Sequence, residues 1–573
     1  MKLPVLAASM LLAFGAMSCA MPCAAAQASA PAAAPAAAPV TAASGKPFVW
    51  DNATVYFLLT DRFNNGNPAN DNAYGRKADA AKLRGFMGGD IAGITARIKD
   101  GYFSDLGVNA IWLTPVVEQI HGASDEGTGK TYAFHGYWAR DFTALDAAFG
   151  TEAELKELVD TAHARGIRIV FDVVMNHTGP VTPQDPVWPA SWVRTGPACT
   201  YKDARTTVDC TLVANLPDFL TASNANVDLP PHLVAKWKKE GRYEREVKEL
   251  DDFFKRTGYP RAPRYYLMKW HADWVRKYGI DGFRADTVKH TEPGLWKELK
   301  QEASLAFEDW KRANPDKRLG SDPFWMVSEV YGYDIRHGRK FDMGGGEFVN
   351  YLGQGFDSMI SFGLRSDAGQ PYEKIFSEYS RILHGELKGY SVLNYISSHD
   401  DGSPFDPLRE RPFESANKLL LAPGAAQIYY GDETARILRV EGAAGDATLR
   451  SFMNWDELAS NAARGMHRVA DIREHWARLG RFRAAHPAVG AGVHQLISHS
   501  PYTFKRTWEK NGVSDRVVVA LDLPGGQPAT IEVGGVFHDG ATVRDWYTGS
   551  TAVVKDGKVR FGSAAPVALI AQD

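Results

Sequence analysis

The sequence predicts an α/β fold: a (β/α)8 TIM barrel with an inserted subdomain after strand 3, followed by a C-terminal antiparallel β-domain. Three observations lead to this prediction. Short apolar runs alternate with longer amphipathic runs, one connection is too long for a loop, and the helical period stops near residue 487. Alternation of strand and helix is typical of parallel βαβ units, and eight such strands fit a closed barrel better than an open sheet.

Eight short apolar runs are the candidate barrel strands. They lie at 54–60, 110–114, 167–173, 282–285, 325–329, 356–360, 391–397 and 427–430. Helical patterns follow several of them, at 152–164, 294–313, 372–383 and 413–421. Gly166 lies just beyond the first of these helices, as expected of a C-terminal stop. The predicted catalytic barrel therefore comprises residues 47–177 and 264–486.

Two segments do not follow this alternation. Between residue 173 and the helical pattern at 265–277 lies a Pro- and Asp-rich connection far longer than an ordinary loop, which predicts an inserted subdomain B over 178–263. Loops that follow barrel strands build the active face, so we expect this subdomain to border the site. From 487 to 573, short apolar runs at 516–521, 530–533 and 567–570 alternate with Gly- and Asp-rich turns, which predicts a small antiparallel β-domain.

The amino terminus is typical of an export signal. Lys2 precedes an apolar run at 3–14 that is too short to span a bilayer, and Ala24-Ala25-Ala26 offers a cleavage site. We therefore predict a signal peptide over 1–26 and a periplasmic or extracellular protein, with lipoprotein anchoring at Cys19 as a minor alternative. Residues 27–46 are almost entirely Ala, Pro and Ser and predict a flexible linker. No later stretch is long and apolar enough to predict a transmembrane segment.

Charge and cysteine usage narrow the function classes. The net charge of −3 includes no basic excess, so we expect no nucleic-acid partner. We also expect the protein to be a monomer. Cys19 and Cys23 should leave with the signal peptide. An oxidising compartment favours a disulfide between Cys199 and Cys210; two buried free thiols are the alternative. No CxxC or HExxH pattern accompanies them, so a zinc site is not expected.

Four acids close apolar runs at the ends of predicted strands three, four, five and seven. They are Asp172, Asp286, Glu329 and Asp400. Catalytic groups of barrel enzymes come from these strand ends. Glycosidic cleavage needs one protonated and one ionised carboxyl group, and crowding of like charges separates pKa values in this way. Arg284 lies two residues before Asp286, on the same side of its strand, and would keep Asp286 ionised.

These residues resemble the α-amylase family of glycoside hydrolases. The matching segments are 172–177, 282–290, the strand ending at Glu329, and His399-Asp400, with supporting matches at 88–90, 106–115, 216–219 and 430–433. The resemblance covers residues 49–483 and is strongest to bacterial periplasmic or secreted α-amylases. It implies retaining, endo-acting hydrolysis of α-1,4-glucosidic bonds in starch, glycogen or maltodextrins through a covalent glucosyl-enzyme intermediate.

The resemblance also implies a role for each strand-end residue. Asp286 corresponds to the nucleophile and Glu329 to the general acid/base. Asp400 corresponds to the third carboxylate, which binds sugar hydroxyls and favours the distorted state. Arg284 corresponds to the residue that orients and ionises Asp286, and Asp172 to a partner of Arg284.

Five further residues correspond to substrate-binding positions of the family. His177 and His399 resemble the pair that donates hydrogen bonds to the sugar at the cleavage subsite. Tyr137 resembles the ring that stacks on that sugar. Lys289 and His290 resemble a pair that grips the glucan on its leaving-group side.

Calcium is the cofactor that the resemblance implies. Asn176, Asp218 and the backbone carbonyl of His290 match a calcium site that would fix the inserted subdomain to the barrel. A possible second calcium loop is formed by Asp61, Asn64, Asn67 and Asp71. The alternative for all these residues is that they are ordinary polar residues of loops and turns.

Three other functions share some of these features. Maltodextrin glucanotransferases and cyclomaltodextrin-acting enzymes use the same machinery, with a sugar hydroxyl in place of water. A non-catalytic glucan-binding relative would be expected to lack one of the three acids, yet all are present. A metalloenzyme would leave Lys289-His290 and Tyr137 unexplained.

Ser398 replaces the Asn common in the family, so chloride activation is not expected.

Overall fold

Eight parallel strands close into a barrel, as the sequence predicts. Strands one to eight are Thr54–Leu58, Ala110–Leu113, Arg168–Val173, Gly282–Ala285, Trp325–Ser328, Ser358–Ser361, Ser391–Asn394 and Ala425–Tyr429. Each strand pairs with its neighbours in chain order, and the first pairs with the last through Thr54 and Ala426. All strand residues are buried, because helices cover the outside and side chains fill the inside.

The coordinates are a computed structural model that describes residues 46–125 and 127–572. The predicted signal peptide (1–26), with Cys19 and Cys23, and the predicted linker up to residue 45 lie outside the described residues. Within the part that is described, no helix has both the length and the apolar character needed to cross a membrane.

Helices of eight residues or more cover the barrel and the insert. They are Ile91–Lys99, Glu152–His163, Pro231–Lys239, Tyr243–Thr257, Pro263–Tyr278, Pro293–Ala313, Tyr372–His384, Pro412–Leu420 and Val469–Ala485. The helix after strand two shows how the sequence sets these bounds. Thr151 and Glu154 form a reciprocal capping box at its start, and Gly166 adopts a left-handed φ of 72° beyond its end.

Shorter elements lie in the connections. The helices of four or five residues are Thr60–Phe63, Tyr102–Asp105, Arg205–Val208, Leu364–Asp367, Trp455–Ala459 and Ala488–Ala491. The 3-10 turns are Trp50–Asn52, Pro68–Asn70, Ala73–Gly75, Val288–His290, Ile335–His337, Leu352–Gln354 and Gly445–Leu449. The two-stranded pairs outside the main sheets are Val117–Gln119 with Ala139–Leu145, Ser124–Asp125 with Lys130–Thr131, Val193–Arg194 with Asp218–Phe219, Phe341–Asp342 with Phe348–Val349, and Ala463–Arg464 with His467–Arg468.

The long connection after strand three is folded, as its length requires. It contains the two helices Pro231–Lys239 and Tyr243–Thr257 and the strand pair of Val193–Arg194 with Asp218–Phe219. Cys199 and Cys210 form a disulfide within it. The predicted pairing is therefore confirmed, and the free-thiol alternative is wrong.

The carboxyl-terminal part is an antiparallel β-structure. Its main sheet has the order Val493–His499, Tyr502–Lys510, Val513–Leu521, Val567–Ala571, Thr542–Asp545 and Thr551–Val553, and Ala529–Glu532 pairs with Lys558–Phe561. Tyr502, Phe504 and Trp508 pack into the same hydrophobic core as the barrel. The buried Arg506 donates a 2.6 Å hydrogen bond to the carbonyl of Leu421 after a barrel helix, which ties the sheet to the barrel.

Candidate active site

Three of the four strand-end acids converge on one arginine. The Nη1 atom of Arg284 lies 2.9 Å from Asp172 Oδ1 and 2.6 Å from Asp286 Oδ1. Its Nη2 atom lies 3.3 Å from Glu329 Oε2. Arg284 is 1% exposed, so these charges interact in a site that is largely shielded from water.

The register of the barrel brings these acids together. Arg284 is the direct partner of Asp172 in the pairing of strands three and four. Beyond the strand ends, the amide of Asp286 donates to Val173 O at 3.0 Å and the amide of Glu329 donates to Ala285 O at 2.9 Å. Both acids therefore lie at the same rim of the barrel, directly after their strands, and backbone hydrogen bonds fix their positions.

Glu329 has the properties of a general acid. Burial, opposed by the charge of Arg284 and assisted by those of Asp286 and Asp400, raises the pKa of its carboxyl group to about 8. The amide of Thr287 donates a 2.8 Å hydrogen bond to Glu329 Oε2 and fixes the orientation of the carboxyl group. Below about pH 8, Glu329 is therefore protonated while Arg284 pairs with Asp286.

Asp400 faces the open side of the site. Its side chain is 38% exposed, and its Oδ2 atom lies 3.6 Å from His399 Nε2. On the preceding residue, the carbonyl of His399 accepts a 2.8 Å hydrogen bond from Arg450 Nε. Arg450, which follows strand eight, was not anticipated from the sequence, because an isolated arginine in a long loop carries no signal.

Tyr137 contacts His177, His399 and Asp172. The Tyr137 hydroxyl donates to Asp172 Oδ2 at 2.8 Å, and the Tyr137 ring stacks on His399 with centroids 5.4 Å apart. His177 Nε2 lies 3.1 Å from the carbonyl of Tyr137. Burial lowers the pKa values of both histidines, so both rings are neutral at pH 7.

Lys289 and His290 lie on one wall beside Glu329. Lys289 Nζ donates to the Tyr331 carbonyl at 3.2 Å and lies between the rings of Tyr201 and Tyr331, at 5.8 and 5.3 Å from their centroids. Tyr201 is 49% exposed and Tyr331 is 59% exposed. Neither ring was identified from the sequence; for Tyr331, its position two residues after Glu329 was the available signal.

The predicted calcium ligands meet where the insert joins the barrel. Asp218 Oδ2 accepts the amide of Leu212 at 3.2 Å, and the amide of Phe219 donates to Asn176 O at 2.7 Å. Asp218 Oδ1 is buried without a hydrogen-bond partner, and burial raises the pKa of this carboxyl group to about 7. His290 Nδ1 contacts the carbonyl of Thr207 in the insert at 3.0 Å. A buried carboxylate with one oxygen that lacks a hydrogen-bond donor fits a hard cation, so the Asp218 side chain is a suitable ligand at this junction.

Other contacts engage the residues of the possible second calcium loop. Asp61 accepts the amides of Met87 and Gly88, and Asn64 Nδ2 donates to the carbonyl of Gly93. The carboxylate of Asp71 instead accepts from Asn65 Nδ2 at 3.0 Å, and Asn67 Oδ1 accepts the amide of Ala69. In residues 46–125 and 127–572, no group of three or more His, Cys, Asp or Glu side chains is arranged to hold a metal. Both calcium sites stay predictions.

Comparisons with known proteins identify the family that the chain resembles. A family model described as the catalytic domain of alpha-amylase matches residues 57–187. The periplasmic alpha-amylase of Escherichia coli (strain K12) is 38% identical over 520 residues, which cover 80% of this chain and 71% of that protein. A cyclomaltodextrin glucanotransferase of Geobacillus stearothermophilus is 27% identical over 519 residues, with 87% and 65% covered. The crystal structure of an alpha-amylase from Geobacillus thermoleovorans, complexed with acarbose, matches with a TM-score of 0.63 at 21% identity, covering 92% of this chain and 99% of that one; at this identity the match shows the fold.

Proposed function

This chain belongs to the α-amylase family, and from that premise we propose that it is a retaining, endo-acting hydrolase of α-1,4-glucosidic bonds in starch, glycogen or maltodextrins. One observation carries the proposal: Arg284 bonds Asp286 while Glu329, in the same site, has a pKa raised to about 8. Glu329 is therefore held in the protonated form that an acid needs, beside Asp286, whose carboxyl group is paired with a buried arginine.

The first step forms an ester. Asp286 attacks the anomeric carbon through a carboxylate oxygen while the bond from that carbon to the glycosidic oxygen breaks. Glu329 gives its proton to the departing oxygen, so the shortened glucan leaves as an alcohol. The product is a β-glucosyl ester of Asp286, with the configuration at the anomeric carbon inverted.

The second step returns the enzyme to its starting state. Glu329, now ionised, accepts a proton from water as the water oxygen attacks the anomeric carbon. The bond to Asp286 breaks, and its carboxylate is released beside Arg284. Two inversions give net retention, so the new reducing end is formed as the α-anomer.

The substrate-binding part of the proposal rests on neutral donors and aromatic rings. The neutral imidazole of His399 donates a hydrogen bond to the sugar at the cleavage subsite, and Tyr137 stacks on it. The single N–H of neutral His177 is donated to the Tyr137 carbonyl, so His177 binds the sugar only if it exchanges this hydrogen bond for one to a sugar hydroxyl. On the leaving-group side, the exposed rings of Tyr201 and Tyr331 flank Lys289 and offer flat surfaces to the next glucose units. Asp400 binds hydroxyl groups of the distorted sugar.

Calcium binding and export complete the proposal. Asn176, Asp218 and the carbonyl of His290 would hold a calcium ion that ties the insert to the barrel; its contribution is structural. The orphaned Asp218 Oδ1 supports this assignment. Export is supported by the relative from Escherichia coli, which is named a periplasmic protein.

The test is a timed incubation of the mature protein with soluble starch, in which product lengths and anomers are resolved. We expect short α-anomeric maltooligosaccharides from the wild type and none from Asp286→Asn. Asp322→Asn is the matched control, because Asp322 pairs with Arg168 at the opposite end of the barrel. Cyclic or lengthened products would instead identify a glucanotransferase, and binding of starch without cleavage would identify a glucan-binding relative.

A further inference from the structure

The segment that follows strand six bridges two catalytic loops. Strand six lies between strands five and seven in the barrel and supplies none of the three acids. Directly after it, the amide of Phe362 donates a 2.8 Å hydrogen bond to the carbonyl of Tyr333, in the loop that begins at Glu329. The Phe362 ring packs edge-on against Tyr331 at 5.3 Å and against Tyr395, at the end of strand seven, at 5.6 Å.

The next turn of this segment reaches the residue beside Asp400. Arg365 forms an ion pair with the carboxylate of Asp401, which also accepts a 2.6 Å hydrogen bond from the hydroxyl of Tyr395. The other carboxylate oxygen of Asp401 accepts the amide of Ser403 at 3.1 Å, and Arg365 Nη1 lies 3.3 Å from the carbonyl of Ser403. The side chain of Asp401 is 8% exposed. The turn that carries Asp400 is therefore held through its neighbour.

The bridging segment is itself anchored on the barrel. Asp367 Oδ2 accepts a 2.8 Å hydrogen bond from Arg336 Nη2, in the loop after strand five, and another of 2.8 Å from the hydroxyl of Tyr379 in the following helix. On its other flank, the Asp400 turn is bound by Arg450 at the carbonyl of His399. Both sides of the turn are thus fixed by arginines from neighbouring loops.

Asp400 depends on this support because its own side chain has little. The carboxylate is 38% exposed, and its 3.6 Å separation from His399 Nε2 exceeds a hydrogen bond. Its position is therefore set by the backbone of residues 399–401. A displacement of a catalytic group by about 1 Å lowers turnover by up to about 100-fold.

We propose that Arg365 and Asp401 are positioning residues, which hold Asp400 at its working distance from Glu329 by linking the loops of strands five and seven. The inference rests on the proposed function of Asp400. The segment after strand six supplies no catalytic acid, and its proposed function is to hold Asp400 in position.

The experiment compares Asp401→Asn, Arg365→Met and the double variant with the wild type, using a maltooligosaccharide of fixed length. We expect each single variant to lower kcat by about 10-fold or more, with KM within about 3-fold. Because both residues act through one contact, the double variant should lose no more than the worse single variant. Asp401→Asn keeps the shape of the side chain and decides the question if Arg365→Met does not fold.

Two controls distinguish a loss of positioning from a general loss of stability and from a wrong assignment of Asp400. Arg168→Met removes a comparable ion pair with Asp322 at the far end of the barrel, so it should lower Tm and leave kcat unchanged. Single variants that keep kcat within about 2-fold, or that lose activity only in proportion to Tm as this control does, would overturn the inference. Asp400→Asn tests the premise: if it stays active, the proposed role of Asp400 fails, whereas if it is inactive and the Asp401 and Arg365 variants are normal, only the bridging role fails.

Discussion

Arg284 donates a 2.6 Å hydrogen bond to Asp286, two residues further along the chain, from a position that is 1% exposed. The contact joins the end of one strand to the residue that follows it, so it needs no loop movement to form. A buried guanidinium at this distance forms a strong, directed ion pair with a carboxylate and fixes its orientation. The proposed nucleophile is thus prepared before a substrate arrives.

Replacement of Arg284 should harm both catalysis and stability. Arg284→Met leaves Asp172, Asp286 and Glu329 crowded without their cation, which further raises the pKa values of Asp172 and Glu329 and leaves the nucleophile without its ion pair. We expect kcat/KM to fall by about 100-fold or more at pH 7. Since these acids would ionise in a buried site, Tm should fall as pH rises and should be closest to that of the wild type in acid. Arg284→Lys keeps the charge but not the planar guanidinium, so its kcat/KM should lie between those of the wild type and Arg284→Met. A normal kcat/KM for Arg284→Met would contradict the proposed role.

The pKa of Glu329 sets the alkaline limit of activity. The group must be protonated to act as an acid, and its pKa is raised to about 8, so kcat/KM should decline as pH rises above about 8. Glu329→Gln should abolish hydrolysis of starch. Any reaction that this variant still performs should show no decline above about pH 8. A maltosyl fluoride, whose leaving group needs no proton, should still react with Asp286 in this variant. Equal losses on starch and on the fluoride would contradict the assignment of Glu329 as the acid.

Calcium should stabilise the chain in a pH-dependent way through Asp218. The pKa of this carboxyl group is raised to about 7 from an ordinary value near 4, so the metal-free protein loses stability as pH rises through about 7. A bound cation favours the ionised form and removes this loss. The gain in Tm with calcium over a chelator should therefore be larger near pH 8 than near pH 5, and Asp218→Asn should lose most of it. A calcium effect that is the same at both pH values would exclude Asp218 as a ligand.

The disulfide should act on substrate binding more than on chemistry. Cys199 and Cys210 close the loop that carries Tyr201, and the loop meets His290 through the carbonyl of Thr207. The double variant Cys199→Ser/Cys210→Ser should lose up to about 3 kcal/mol of unfolding free energy. Its KM for maltooligosaccharides should rise several-fold, whereas its rate on a maltosyl fluoride should stay normal. A fall in the rate on the fluoride would show that the loop also shapes the catalytic acids.

The barrel could be predicted because its strands are buried on both faces. Such strands are near-continuous apolar runs, and all eight were located from this pattern. The bounds were less exact where the residues lack β-propensity: strand eight begins at Ala425, before the predicted run at 427–430. The strand-end acids were found for the same reason, since each closes an apolar run.

Contacts between distant loops could not be predicted in this way. Tyr201 meets Lys289 from the insert, and Arg365 meets Asp401 from the loop of a neighbouring strand. These side chains follow no period along the chain, so their positions depend on tertiary structure alone. The contacts of Asp61 were likewise not predictable: its carboxylate accepts backbone amides, and its role as a metal ligand stays a prediction.

The pairing of the first barrel strand with the last determines when the chain becomes active. During synthesis, Thr54–Leu58 leaves the ribosome early, yet the partner that completes its hydrogen bonding, Ala425–Tyr429, is among the last parts of the barrel to emerge. Until then the strand exposes an unpaired edge of Thr, Val, Tyr, Phe and Leu, a composition that promotes intermolecular association. Closure also depends on contacts between residues far apart in sequence, which makes folding slow. The barrel therefore cannot close, and the strand-end acids cannot be brought together, until the chain has been synthesised beyond Tyr429.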